Sequence, residues 1–168
     1  MKVDDIRRVL IIGAGTMGQE IGLQCAMYGY DVTLYDIKPE MLKMALARQK
    51  GYLDEIVRGG YMNDEQVDAT LARITTTTDP AKAAAEADLV SESVPENPEL
   101  KGKVFAQFNP LCPPRTIFTT NTSSLIPSMY AEATGRPDRF AAFHFHLDVW
   151  VSNVVDVMPH PGTAAKVD

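Results

Sequence analysis

Val9-Leu10-Ile11-Ile12-Gly13-Ala14-Gly15-Thr16-Met17-Gly18 is the stretch on which the fold turns. Its first four residues form a continuous apolar run that ends abruptly at glycine, the pattern of a β-strand buried on both faces. The Gly-x-Gly-x-x-Gly that follows lies where a dinucleotide fingerprint has to lie, directly after a strand and across the start of a helix. There Gly13 permits a tight turn, Gly15 lets backbone N–H groups approach a pyrophosphate, and Gly18 allows the helix to pack closely on the strand. Thr16 and Met17 complete the loop. The helix N-terminus supplies partial positive charge, so the anion needs no lysine.

Working outward, Met17, Ile21, Cys25 and Tyr28 recur at helical spacing, Gly29 stops the helix, and Val32 to Tyr35 reads as a second strand. Asp36 follows, 23 positions after Gly13. At the end of that strand a carboxylate can accept hydrogen bonds from the adenosine ribose hydroxyls, and its charge would repel a 2′-phosphate, which favours NAD over NADP. The competing reading of Asp36 as a helix cap is weaker, because Pro39 is the natural first helical residue and puts the cap at Lys38. Pro39 opens a long helix carrying Leu42, Leu46, Leu53 and Val57, which Gly59-Gly60 ends; a shorter helix starts near Asn63 with Gln66 as capping-box partner. The pair is expected to form a hairpin projecting from the sheet. Further strands are expected at 73–77, 88–94, 116–119, 140–145 and 154–158, and helices near Pro80, Pro98 and Pro127. Strands alternating with helices predict an α/β fold, a doubly wound Rossmann-type and mostly parallel sheet, with residues 1–168 forming one dinucleotide-binding domain and no second domain after it.

A chain of 168 residues with 45% apolar content can bury a core of its own. Its net charge is −6, and no basic cluster is denser than Arg7-Arg8, so a nucleic-acid partner is not expected. No apolar run approaches bilayer length, and the start MKVDDIRR lacks a signal-peptide stretch. A cytoplasmic protein without a membrane partner is the expectation. Cys25 and Cys112 have no metal-like spacing and read as ordinary thiols.

Three more segments are too polar for ordinary strand ends: Glu92-Ser93-Val94-Pro95-Glu96-Asn97 with Lys101, then Asn121-Thr122-Ser123-Ser124, then His144-Phe145-His146-Leu147-Asp148. Capping and turn chemistry explains any one of them. In an open α/β sheet, however, ligands lie outside the carboxyl ends of the strands, so all three would face the crevice that the glycine loop faces.

With these segments in view, the chain resembles the NAD-binding domain of the 3-hydroxyacyl-CoA dehydrogenase family. The resemblance runs through the GAGTMG loop, Asp36, ADLV leading into VPEN-x-x-x-K, NTSSL and the final HF segment. It implies reversible hydride transfer between NAD and a carbon bearing a 3-hydroxyl or 3-keto group of a small-molecule substrate. It implies His144 as catalytic base, Ser123 as the group that binds the substrate 3-oxygen, and Asp156, where the family has glutamate, as the residue that holds the histidine. Glu96 would lie near the nicotinamide, and Lys101 and Asn121 would contact the cofactor. The longer chain would be a homodimer, closed over its substrate by a C-terminal helical domain that these 168 residues do not contain.

The chain departs from the family where most acyl-CoA members have HFFNP and this sequence has HFHLD, with Leu147 for the usual asparagine and Asp148 for the usual proline. The following Val149-Trp150-Val151-Ser152-Asn153 looks more like a diketoreductase-like branch, whose members reduce small ketones. A non-catalytic NAD-binding module is the alternative from a different class. His144, His146 and Asp148 alternate as metal ligands could, but Val149 follows where a metallohydrolase pattern has histidine, and no metal is expected. His144 and Asp156 stand 12 positions apart on strands expected to pair antiparallel, which would put them opposite each other at a distance longer than a good hydrogen bond.

Overall fold

The computed structural model describes residues 5–165 and 167. Among them a seven-stranded sheet runs in the order β3-β2-β1-β4-β5-β6-β7, parallel throughout except for β7, which is antiparallel to β6. The strands are β1 (Arg8–Ile12), β2 (Asp31–Tyr35), β3 (Ile74–Thr77), β4 (Leu89–Glu92), β5 (Ile117–Thr120), β6 (Phe140–Phe145) and β7 (Val155–Pro159). The helices are α1 (Thr16–Met27), α2 (Pro39–Arg58), α3 (Asp64–Ala72), α4 (Pro80–Ala84), α5 (Pro98–Phe108) and the single turn α6 (Val149–Ser152). This is the doubly wound Rossmann-type arrangement. Strand order reverses between β1 and β4, and the crevice opens there.

The run Val9 to Ile12 is buried on both faces because it lies mid-sheet. Leu10 and Ile12 join Phe105, Phe108, Phe118 and Phe140 on one side. Val9 and Ile11 join Ile21, Val32, Leu34 and Leu42 on the other. Asn63 caps α3 with the reciprocal Gln66 capping box, and Lys38 occupies the cap of α2 with Pro39 in its first turn. The buried stripe of α2 is Leu42, Ala45, Gln49, Leu53 and Ile56, one position away from the expected stripe at Leu46 and Val57, which are half-buried at its edge. Leu53 and Ile56 meet Leu23 of α1, with Val67 and Leu71 of α3 packed around them, so the helix pair is anchored on α1.

Two expectations need correction. The helix expected near Pro127 is a series of 3₁₀ turns, Pro127–Met129, Glu132–Thr134 and Pro137–Arg139, interrupted by Gly135 in the left-handed region. The bend near Trp150 is the helical turn α6, entered through Asp148 (φ 57°) and left through Asn153 (φ 46°). Positive φ at non-glycine residues is tolerated best by asparagine and aspartate, the two residues found there. Cys25 and Cys112 are free, and burial pushes their thiols up to about 12 and about 11. No described helix is long and apolar enough to cross a membrane.

Candidate active site

At the glycine loop, Gly13 takes φ 101°, and its N–H donates to the Tyr35 carbonyl at 2.8 Å, tying the turn to the end of β2. A Cβ on Gly18 would sit 1.8 Å from the Gly13 carbonyl oxygen, so helix and loop touch as only glycine allows. A Cβ on Gly15 would meet nothing within 4 Å and would project into open space. Gly15 caps α1 without a side-chain bond, and no acidic residue occupies the first turn, so the helix donors stay available to an anion. Gly13, Gly15, Thr16, Met17 and Asp36 line a groove of about 750 Å³ bounded by Val94, Pro95 and α5. A backbone cradle with room for a ligand beside it suits the pyrophosphate of NAD.

Asp36 borders this groove and holds the loop. One carboxylate oxygen accepts from the Ala14 N–H at 2.9 Å and the other from the Lys38 N–H at 2.9 Å. A carboxylate has about four lone-pair sites, so two remain for ribose hydroxyls.

Lys101, which the family resemblance assigns to the cofactor, has protein partners. Its side chain is fully buried, and the ammonium donates to both oxygens of Glu92 at 2.8 and 3.0 Å and to the Val94 carbonyl at 3.2 Å, with Glu96 Oε2 at 3.3 Å. The cause is Glu92, a carboxylate at the end of a central strand with no solvent, which takes the nearest cation. Burial pushes the Glu92 carboxyl above its ordinary range, while Lys101, the Thr120 hydroxyl and the Val94 N–H draw it back. The sequence signal was present, a strand-end glutamate nine positions before a lysine in the first turns of a helix, but spacing alone does not tell an internal pair from a ligand contact.

From Lys101 the network leads outward. Glu96 Oε1 accepts from the Thr122 hydroxyl and from the Ser123 and Ser124 N–H groups at 2.9 and 3.0 Å. Burial works against the charge, but the Thr122 hydroxyl, the two N–H groups and Lys101 outweigh it and hold the Glu96 carboxyl at about 2. Asn121 Oδ1 accepts from the Phe145 N–H at 2.8 Å, joining the end of β5 to the end of β6. Met17, Glu96, Asn121, Ser123 and Ser124 line a smaller pocket of about 210 Å³.

Ser123 Oγ lies 3.0 Å from His144 Nε2. His144 and Asp156 are directly paired across β6 and β7, so their side chains share a face, and His144 Nδ1 lies 3.6 Å from Asp156 Oδ2. The same oxygen is 2.9 Å from His146 Nε2, a closer partner than the sequence reading foresaw. The hydrogen bond and charge of His146, with a smaller contribution from His144, outweigh desolvation and hold the Asp156 carboxyl below its ordinary range. Asp148 is not part of this group; it starts α6.

Residues 8–167 match the family model described as 3-hydroxyacyl-CoA dehydrogenase, NAD binding domain. The chain belongs to this family. It is 39% identical over 163 residues to the 3-hydroxyadipyl-CoA dehydrogenase of Escherichia coli, covering 97% of this chain and 34% of that protein. It is 34% identical to the human mitochondrial hydroxyacyl-coenzyme A dehydrogenase, covering 96% of this chain and 53% of that one. Among solved structures, a diketoreductase acting on dicarbonyl compounds superposes with a TM-score of 0.91 at 38% identity, over 96% of this chain and 58% of that one. This 3-hydroxyacyl-CoA dehydrogenase NAD-binding domain therefore spans a third to a half of the length of those two curated relatives.

Proposed function

We propose that this chain supplies the cofactor-binding and proton-transfer side of an NAD-dependent oxidoreductase that interconverts 3-hydroxy and 3-keto groups, with 3-hydroxyacyl-CoA as substrate. The observation that carries the reading is the His144 Nε2 to Ser123 Oγ contact at 3.0 Å, with Ser123 lining the smaller pocket that shares Met17, Ser93 and Val94 with the glycine-loop groove. In the tautomer with its proton on Nδ1, facing Asp156, His144 has a lone pair on Nε2 to take the proton of a substrate hydroxyl as the carbon gives up hydride. When bound, NAD supplies the carbon that accepts the hydride. In the reverse direction the imidazolium returns the proton to the 3-oxygen. Ser123 donates to that oxygen as charge develops, and its backbone is fixed by Glu96, which Lys101 fixes in turn. In a longer chain the same reading implies a homodimer.

A second reading, reduction of small diketones, is favoured by the diketoreductase likeness and by Leu147 and Asp148 in the HFHLD segment. NADH oxidation by the full-length gene product, assayed against acetoacetyl-CoA and a small diketone, separates the two. The proposal expects kcat/KM for acetoacetyl-CoA to be higher by about tenfold or more, a difference of about 1.4 kcal/mol in transition-state binding. The reverse order favours the diketone. Tight NADH binding without oxidation by either would leave a non-catalytic binding module and overturn both.

A further inference from the structure

His144, His146 and Asp156 are, among the described residues, the one group of His, Cys and carboxylate side chains placed to hold a metal ion. Topology brings them together. His146 lies two positions beyond His144, and Asp156 is the direct cross-strand partner of His144, so all three reach the same face at the end of the β6–β7 ladder. His144 Nδ1 and His146 Nε2 lie 3.6 and 2.9 Å from the same oxygen, Asp156 Oδ2, and the three ligand atoms fall within 4.8 Å of one another. Zinc binds imidazole nitrogen and carboxylate oxygen at about 2.0 to 2.2 Å, so neighbouring ligand atoms around a tetrahedral ion stand about 3.4 Å apart. The two short edges bracket that value, and a small rotation of the exposed His146 side chain would close the third. His144 is mostly buried while His146 and Asp156 are half-exposed, which leaves an open side for a fourth ligand from solvent.

We infer that this face binds a borderline divalent cation, zinc in the first instance, through His144 Nδ1, His146 Nε2 and an Asp156 oxygen. Two imidazoles and one carboxylate suit zinc better than magnesium or calcium, which prefer all-oxygen sites. The consequence for the proposed chemistry is antagonism. A metal on Nδ1 requires that nitrogen to be bare, so the proton moves to Nε2. There it can be donated to Ser123, but the nitrogen can no longer accept a proton from a substrate hydroxyl. The metal and the base compete for opposite tautomers of one ring.

The inhibitory part rests on the proposed role of His144; the binding part does not. The test therefore begins with binding: calorimetry of zinc chloride into the metal-stripped 168-residue chain, and cobalt(II) as a spectroscopic probe of nitrogen ligation. One equivalent per chain is expected, with visible d–d bands. His146→Phe and Asp156→Asn should each weaken zinc by about tenfold or more, because each removes one of three ligands. His160→Gln should not, because that imidazole is bonded to the Pro137 carbonyl away from the cluster. Asp156→Glu, which keeps the carboxylate, should retain binding within about threefold. NADH affinity confirms that each variant is folded. Absence of zinc binding to the unaltered chain, or binding indifferent to His146→Phe and Asp156→Asn, overturns the site. If binding is as expected but zinc leaves hydride transfer by the full-length gene product untouched, the site stands, the antagonism is overturned, and the role of His144 as base is what fails.

Discussion

At the glycine-loop end of the groove, the groups available to a dinucleotide phosphate come from one continuous stretch, Gly13 to Gly18, and act through their backbone. At the histidine cluster, Glu96, Ser123, His144 and Asp156 come from four separate segments and act through side chains and the contacts between them. The first end is intolerant of added atoms at Gly13 and Gly18, where a Cβ would lie 2.8 Å from the Ser93 carbonyl oxygen and 1.8 Å from that of Gly13. The second has room for different side chains, yet its chemistry depends on which nitrogen faces which oxygen. Binding and catalysis should therefore come apart under mutation.

The largest effect expected is at His144. His144→Gln in the full-length gene product keeps a polar side chain beside Ser123 but removes the base, and kcat should fall by about a thousandfold, inside the range general acid–base groups contribute. NADH affinity, measured by fluorescence titration, should change by less than about twofold, because the polar contacts of the His144 side chain run to Ser123 and Asp156 and not to the glycine loop. A parallel loss of both would mean that the glycine loop and the histidine cluster are one cooperative unit.

Next comes Lys101, whose ammonium is bonded to Glu92 and lies 3.3 Å from Glu96. Lys101→Met leaves the fully buried Glu92 without its cation, and removing one partner of such a pair costs about 3 kcal/mol or more. Denaturant unfolding of the 168-residue chain should show that loss, and adding Glu92→Gln to Lys101→Met should recover most of it, since an uncharged pair no longer carries a stranded charge. Unchanged stability with lost NADH affinity would assign Lys101 to the cofactor, as the family resemblance implies.

These two residues mark where sequence reading succeeds and where it stops. β1, the loop and α1 are legible because apolar run, glycines and helical spacing are all local, and each demands a particular backbone conformation. The pairing of His144 with Asp156 was also readable, since two apolar strands with one reversal between them fix the register, and their distance came out long, as a carboxylate one methylene short of glutamate predicts. What could not be read was the choice among partners. Lys101 has several acceptors within reach, and burial of Glu92, a property of the assembled sheet, decides among them. Likewise Asp156 has two histidines within reach and lies closer to His146, because His144 is held back in the strand by its contact with Ser123.

The smallest effect, and the finest test of the contrast, is at Asp36, the one side chain at the glycine-loop end expected to read the ligand. It has two duties there. Its carboxylate anchors the loop through the Ala14 N–H, and its remaining lone pairs and charge face the groove where a ribose would lie. Asp36→Ala removes both, and NADH affinity should fall by about tenfold, or about 1.4 kcal/mol. Loss of the anchor alone would weaken NADH and NADPH equally, since both carry the same pyrophosphate. Loss of the negative charge acts on NADPH in the opposite direction, because it removes the repulsion of a 2′-phosphate. The preference for NADH over NADPH should therefore narrow. Asp36→Asn separates the duties further: its one amide oxygen can still accept from Ala14 and hold the loop, while the Lys38 N–H loses its acceptor and the charge is gone. NADH should then weaken by only about threefold while NADPH tightens in calorimetric titration. If both cofactors weaken together in both variants, Asp36 serves the loop alone, and the glycine-loop end selects its ligand entirely through its backbone.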